Sequence, residues 1–512
     1  MPEETPVGLA DLERRLAHDL ACLNWPAGQW LPERRHDGQP LEPVVIIGAG
    51  QAGLALAFGL RQAGIDPLLL DRAPAGSEGP WATTARMETL RSPKELTGPA
   101  MGVPNLTFRA WFEAQFGATG WARLDKIPRL QWMDYLRWYR QVTRPRVRNE
   151  TAVTRILPHA DHVELRLASA AGTAGTTGAT GATTLLARHV ILATGRDGLG
   201  GPAIPAFMRG VDRRLWAHSS DPFDYRSLRG RHVGVIGAGS SAMDSAGTAL
   251  EEGAASVDLL IRRAEIPRIN KSKGSGVPGL THGHADLPDA WKWRIRHYIN
   301  RQQVPPPHGS TLRVSRHANA FFHTGCAIER VTATGDAAAP LLVDTTQGRF
   351  HFDFLFVATG FVPDWSQRPE FAAFASQVKL WPQRYQLPEA ADDAELNGMP
   401  DLGPAFEFQE AQPGACPGLW RLHAFCYPAA LSFGTISGDI PAISDGARLL
   451  ATRLASAFYR EDLEYHWEKL QAYAEPELDG SEWTRANTPT RIQALREAHA
   501  PAAPQTLPDY KQ

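Results

Sequence analysis

The chain has 512 residues, more than one ordinary hydrophobic core accommodates, so two or three domains are expected. Its 53 basic and 55 acidic side chains leave a net charge of −2, which excludes the global positive field of a protein built to bind nucleic acid or an anionic membrane. The four cysteines, Cys22, Cys326, Cys416 and Cys426, are scattered with no CxxC, which excludes a disulfide framework, a zinc ribbon and a dithiol relay.

Residues 1–42 open on MPEETP, acidic and without an apolar stretch, so no signal peptide is read and a cytoplasmic location is expected. One helix, about Gly8–Leu23, and a Trp- and Pro-bearing connection follow, an appendage expected to pack on the main body. At Val44 the pattern changes to VVIIGAGQAGLALAFGLRQAGIDPLLLDR, running to Arg72. Val44–Ile47 reads as a buried parallel strand, Leu54, Ala57, Phe58 and Leu60 as one helical face, and Leu68–Leu70 as a second strand ending on Asp71. Strand, glycine turn, helix and acid in this order form a dinucleotide fingerprint. Gly48 makes the tight turn, Gly50 lets a pyrophosphate approach the backbone beside Gln51 and Ala52, and Gly53 lets helix pack on strand. Asp71, with Arg72 next to it, stands where a carboxylate accepts ribose hydroxyls.

Gly79-Pro80-Trp81 and the polar loop 85–99 follow, carrying Arg86, Arg91 and Lys94 just after a cofactor-binding strand, a common place for chemistry. Trp111–Phe116 and Leu130–Tyr139 read as aromatic-rich amphipathic helices packed in the core. Ala152–Leu157, including Val153, and Val163–Leu167 read as strands. The small-residue run 168–184 reads as a hairpin loop without chemistry. Leu185–Gly195 is a strand closed by Ala193-Thr194-Gly195.

The opening theme then recurs in residues 231–263. Strand Val233–Ile236, a turn carrying Gly237, Gly239, Ser240 and Ser241, a helix, and strand Val257–Ile261 repeat the βαβ plan. Ala242 stands at the third glycine position, and the second strand ends in Arg262-Arg263 rather than an acid. An arginine there pairs with a 2′-phosphate, so NADP is expected over NAD. Residues 269–315 form a basic, Pro-rich insertion with a helix over Asp289–Arg301. Its His282 and His284 are read as solvent-exposed, and no metal site is expected. Short strands over 325–343 lead to Phe352–Gly360, closed by Ala358-Thr359-Gly360. After an irregular stretch, Gly438-Asp439 precedes a helix whose N-terminus can face negative charge. The rest is helical and polar, with a disordered tail from about Pro501.

Four stretches, GAGQAG (48–53), WAHSSDPF (216–223), GRHVGVIGAGSSAMD (230–244) and FLFVATGF (354–361), resemble the class B flavoprotein monooxygenases, that is, the flavin-containing, N-hydroxylating and Baeyer–Villiger enzymes. The resemblance covers residues 43–450. His218-Ser219 matches the His-Ser of the family's linker, although the preceding Phe-x-Gly is absent. LRSPKEL (90–96) is similar to the family's active-site segment, with Arg91 at the position of an asparagine and Lys94 on a lysine of the N-hydroxylase pattern.

The resemblance implies an α/β fold of two Rossmann-like dinucleotide-binding domains with helical terminal extensions. The FAD domain would be discontinuous, 43–205 and 350–450, with an NADPH domain, 206–349, inserted into it and terminal extensions 1–42 and 451–512. It implies an FAD- and NADPH-dependent monooxygenase that inserts one atom of O2 into a small molecule through a C4a-(hydro)peroxyflavin, at nitrogen in the first instance. Arg91, Lys94 and Arg86 would be the catalytic set. The two glycine turns, Asp71, Arg72, Trp81, Val153, Thr194, Gly195, His218, Ser219, Arg262, Arg263, Thr359, Gly360, Gly438 and Asp439 would hold the cofactors. The competing expectation is a flavoprotein reductase delivering electrons to a quinone or protein acceptor. Neither nucleic acid nor membrane is an expected partner, and the aromatic-rich helices are compatible with a homodimer.

Overall fold

The computed structural model describes residues 7–169, 183–336, 340–386, 392–483 and 488–499. Most of the small-residue run, 170–182, and the tail expected from Pro501 lie outside the described residues. The chain forms two compact units, Met1–Arg460 and Glu461–Gln512. The smaller one holds helices Leu463–Ala472 and Thr488–Ala498.

In the large unit the elements relevant to the site are, in chain order, α1 (Leu9–Cys22), β1 (Glu42–Ile47), α2 (Gln51–Gln62), β2 (Leu68–Leu70), α3 (Phe108–Arg123) and α4 (Arg129–Thr143). Next come β3 (Arg146–Arg148), β4 (Thr151–Pro158), β5 (Val163–Ser169), β6 (Thr183–Leu192) and β7 (Trp216–His218). They are followed by β8 (His232–Ile236), α5 (Ser240–Glu251), β9 (Ser256–Ile261), α6 (Asp289–Gln302), α7 (His308–Ser315) and β10 (Ala320–Thr324). The series closes with β11 (Ile328–Ala333), β12 (Leu341–Thr345), β13 (Gly348–Phe352), β14 (Phe354–Val357), β15 (Leu422–Ala424) and α8 (Ile443–Glu461).

Two sheets organise the unit. The first runs β3-β2-β1-β6-β5-β4, with β15 also paired to β6. Its β3, β2, β1, β6 and β15 are parallel neighbours, and β5 joins β6 and β4 antiparallel. Val44, Val45 and Ile46 are fully buried, as a strand covered on both faces requires. The second sheet runs β7-β14-β8-β9-β10 and is parallel throughout. An antiparallel meander, β11-β12-β13, lies between β10 and β14 in sequence. Each glycine-turn strand is therefore flanked on both sides, by β2 and β6 in one sheet and by β9 and β14 in the other.

The N-terminal helix packs as an appendage on this body. It buries Leu12 and Leu16, the Gly8 amide donates to Ala114 O at 2.8 Å, and Asn105 Nδ2 donates to Asp19 Oδ2 at 2.8 Å. The aromatic helices form the core expected of them. Phe108 contacts Trp111, Trp132 and Tyr135, and the Tyr135 hydroxyl donates to Leu106 O at 2.8 Å. The helix expected to stop at Phe116 continues to Arg123, but it breaks at Gly117, whose φ of +69° is not helical.

Candidate functional site

The two glycine turns are built alike. A Cβ on Gly48, whose φ is +109°, would lie 2.4 Å from Ala193 O. One on Gly237, φ +127°, would lie 2.7 Å from Ala358 O. The two Ala-Thr-Gly strand ends are thus the walls against which the turns close, which is why each turn is paired in sequence with an Ala-Thr-Gly. Gly50 and Gly239 differ: a Cβ there meets nothing within 4 Å. Both are N-caps, of α2 and α5, without a side-chain hydrogen bond. Each helix thus presents uncapped first-turn N–H groups and its positive dipole end, the environment a phosphate requires. A cavity of about 520 Å³ leads away from the first turn, lined by Gly50, Leu54, Gly76, Met133, Arg137 and Arg140. Residues and space fit an adenine dinucleotide at this turn.

Asp71 stands beside that turn. Its Oδ2 accepts from the Ala49 amide and its Oδ1 from the Ala73 amide, both at 2.8 Å. The carboxylate thus fixes the turn, and each oxygen retains a second lone pair for a ribose hydroxyl. Thr194 and Thr359 brace the loops after their strands, donating to Gly198 O at 3.1 Å and to Ala203 O at 2.5 Å. Buried His218 links strand ends through a 3.0 Å contact from Nε2 to Gly360 O, and the Ser219 amide donates to Val357 O at 3.1 Å. Trp81 packs on the main core and its carbonyl accepts from Arg129 at 2.6 Å, while Val153 pairs with Leu167 in the sheet. Arg72, Arg262 and Ser241 are exposed, and Arg263 donates to Arg301 O at 3.2 Å.

The loop 85–99 sits at the junction of the two sheets' helices, and its three cations part company there. Arg91 is solvent-accessible yet surrounded by protein. Desolvation lowers its pKa, Asp244 opposes that shift and Arg196 adds to it. Arg86 ties the loop to the second lobe, donating to Thr83 O at 2.6 Å and to Phe223 O at 3.4 Å, with its guanidinium over the Tyr225 ring at 5.3 Å. Arg313 completes the tie: it pairs with Glu251 at 2.6 Å and donates to Arg86 O at 2.9 Å. Lys94, expected in the catalytic set with Arg91, points elsewhere in the structure. Its ammonium donates to Trp121 O at 2.9 Å and Leu124 O at 2.5 Å, so it caps the C-terminal end of α3.

Sequence reasoning passed over several groups at this junction. Asp244, on α5, is 4% exposed and its Oδ1 has no hydrogen-bond partner. Burial raises its pKa, against the pull of a Ser310 hydrogen bond and the charges of Arg91 and Arg313. Arg196 lies 3.5 Å above the Tyr427 ring and 3.7 Å from Glu395. Asp439, expected at a helix start, precedes a single 3₁₀ turn (Ile440–Ala442) rather than the helix itself and makes no side-chain cap. Burial raises its pKa, while Arg296 and Arg196 pull it down. Charge interactions link Arg91 to Asp244 and Arg196, and Asp439 to Arg196 and Arg296, so Arg196 joins the two acids in one chain of neighbouring charges, the recess. Signals for two of them were present: Arg196 directly follows an Ala-Thr-Gly, and Asp244 lies one turn into the second fingerprint helix. His284 is a further correction. It is 2% exposed, with Nε2 3.1 Å from Leu431 O, and burial depresses its pKa to about 4.

Two parallel-sheet lobes, each closing a glycine turn against an Ala-Thr-Gly strand, define a flavoprotein oxidoreductase with two dinucleotide-binding folds. Comparison with known proteins agrees. The pyridine nucleotide-disulphide oxidoreductase family matches residues 45–282. The FAD-dependent urate hydroxylase of Xanthomonas campestris pv. campestris is 39% identical over 476 residues, 93% of this chain and 98% of the relative. Among solved structures, ornithine hydroxylase from Pseudomonas aeruginosa superposes with a TM-score of 0.61 at 15% identity, covering 81% of this chain and 99% of that one. Ornithine N-hydroxylase from Kutzneria sp. 744 does so with a TM-score of 0.61 at 17% identity, covering 82% and 100%. These two share the fold. The chain belongs to the class B flavoprotein monooxygenases, the family of FAD-dependent oxidoreductases expected from its four motifs. Among the described residues no helix is long and apolar enough to cross a membrane.

Proposed function

We propose that this monooxygenase hydroxylates urate or a closely similar planar, nitrogen-rich anion, with NADPH as electron donor. The observation that carries the reading is the full-length, 39% identical relative named as a urate hydroxylase. The recess supports it. The guanidiniums of Arg91, Arg196 and Arg296, coupled through the charges of Asp244 and Asp439, would offer planar forks of donors to ring carbonyls or an oxyanion. The free Oδ1 of Asp244 offers an acceptor for a ring N–H. With its pKa raised, Asp244 also holds a proton more readily than an ordinary carboxylate.

FAD, when bound, supplies the electron transfer and oxygen activation that no side chain provides. Toward it, the turn around Gly48, Gly50 and Gly53 and the N-terminus of α2 would hold the pyrophosphate, with Asp71 at a ribose and Arg137 and Arg140 lining the way beyond. The turn at Gly237–Ser241 and exposed Arg262 would hold the NADPH pyrophosphate and 2′-phosphate. Arg86 and Arg313 keep the loop closed on α5, which limits water at the recess.

N-hydroxylation of an amine is the second reading and has the shared fold behind it. Three arginines at the recess count against an ammonium-bearing substrate. The test is a panel of urate, other oxopurines and basic amino acids, scored as substrate-stimulated NADPH consumption without matching hydrogen peroxide. Urate stimulation with one product per NADPH is expected. Consumption that peroxide accounts for in full, or stimulation by ornithine or lysine instead, overturns the reading.

A further inference from the structure

A second cluster of chemistry-bearing side chains lies apart from the recess. A short hairpin, Arg35–His36 against Gln39–Pro40, precedes β1, and residues 159–162 form the turn between β4 and β5. Together they place three histidines and a carboxylate side by side. Asp161 Oδ2 lies 3.0 Å from His36 Nδ1, and its Oδ1 lies 2.8 Å from His162 Nδ1. The His36 and His162 rings are 4.0 Å apart, and His159 stacks on His162 at 4.6 Å. Asp37 Oδ2 is 3.6 Å from His36 Nε2. One donor atom from each of His36, Asp161 and His162 falls within 4.8 Å of the other two.

From this geometry we infer that His36, Asp161 and His162 form a binding site for a divalent cation of the zinc class, separate from the cofactor sites. The donor set is two imidazole nitrogens and one carboxylate oxygen, which suits Zn²⁺ and the neighbouring transition metals rather than Ca²⁺ or Mg²⁺. Tetrahedral bonds of about 2.0–2.1 Å place ligand atoms roughly 3.4 Å apart. The contacts of Asp161 with the two histidines, at 3.0 and 2.8 Å, must therefore open slightly, and a donor pair at the 4.8 Å limit must close by about 1.4 Å. Side-chain rotation at His36 and Asp161 allows that, since these side chains are 36% and 65% exposed, while His162, at 6%, is the fixed post. Water completes the shell. A bound ion replaces the hydrogen bonds that Asp161 now makes and fastens the hairpin at residue 36 to a turn 125 residues further on.

The site is structural, not catalytic. Val163 pairs with Ala187 and Ala187 with Glu42, so the turn lies at the end of the sheet where β1 begins. The glycine turn follows the other end of β1, roughly 15–20 Å away at about 3.3 Å per residue.

The experiment is a titration of the chelator-treated, desalted holoenzyme with zinc chloride, followed by calorimetry and thermal unfolding. The wild type should bind one ion and unfold at a higher temperature with it. His36→Ala, at a partly exposed position, and Asp161→Asn should each weaken binding by about tenfold or more and abolish the thermal gain. His282→Ala should change neither. FAD content and substrate-stimulated NADPH consumption should be the same in His36→Ala as in wild type. Absence of stoichiometric binding overturns the proposal. So does binding that survives both substitutions, or binding lost in Cys22→Ser, because Cys22 and His18, 3.5 Å apart, form the competing two-ligand position.

Discussion

Gly50 and Gly53 stand three residues apart in one turn, and the structure gives them opposite consequences on substitution. A Cβ on Gly53 would sit 2.0 Å from Gly48 O, short of the 3.4 Å of an ordinary contact by about 1.4 Å, and the obstacle is backbone. Gly53→Ala therefore has to part α2 from β1. Overpacking of this kind costs about 1–3 kcal/mol, and a rigid backbone clash puts it toward the upper end. Gly50 has a φ of −73°, which any residue adopts, and a Cβ there meets nothing within 4 Å. Gly50→Ala should leave apoprotein stability within about 0.5 kcal/mol of wild type. The added methyl instead fills the space through which the pyrophosphate approaches, so FAD affinity should fall by at least about tenfold, or ~1.4 kcal/mol. Apoprotein thermal unfolding and flavin retention on a desalting column measure the two effects separately. Gly50→Ala that keeps FAD at wild-type affinity refutes the reasoning. So does Gly50→Ala that destabilises the apoprotein as much as Gly53→Ala.

Four further outcomes are expected. Arg91→Ala should raise KM for an anionic substrate by about tenfold or more, with Arg91→Lys recovering part of it, because a charge-assisted bond contributes about 1.5–3 kcal/mol; steady-state kinetics with urate decide it. Lys94→Met should leave kcat within about twofold while costing roughly 1 kcal/mol in unfolding, since the ammonium caps a helix; a collapse of kcat in a folded variant would return Lys94 to the catalytic set. Burial holds His284 at about 4 against 6.5 in the unfolded chain, so the unfolded state takes up the proton first. Its contribution is complete above pH 6.5 and declines toward pH 4 at up to about 1.4 kcal/mol per unit; denaturation between those pH values should be shallower in His284→Asn. Arg262→Ala should lower the NADPH-to-NADH preference by about tenfold, read as a ratio of kcat/KM.

What could be read in advance depended on range. Strand-turn-helix order, the two Ala-Thr-Gly strands and the aromatic core helices are local patterns, and the structure places them within a few residues of where the pattern put them. The recess depends on contacts across the fold. Asp244 and Arg91 are separated by 153 positions, and nothing along the chain shows that a helix of the second lobe faces a loop of the first. The partners of Lys94 were hidden for the same reason: a lysine in a basic loop looks available until the end of α3, some 30 residues on, supplies two carbonyls. His284 looked exposed because THGH lies in a polar insertion, whereas the segment at Leu431 and Gly434 folds over it.

Oxygen transfer from O2 to a urate-like ring, by a flavin held at the Gly48–Gly53 turn, is the reaction on which the proposed function stands. It is tested most directly by turning over the FAD-loaded protein with urate and NADPH under oxygen-18 gas and analysing the product by mass spectrometry. One labelled oxygen per product and one NADPH per label are predicted. Unlabelled urate recovered alongside a full equivalent of labelled hydrogen peroxide would contradict it.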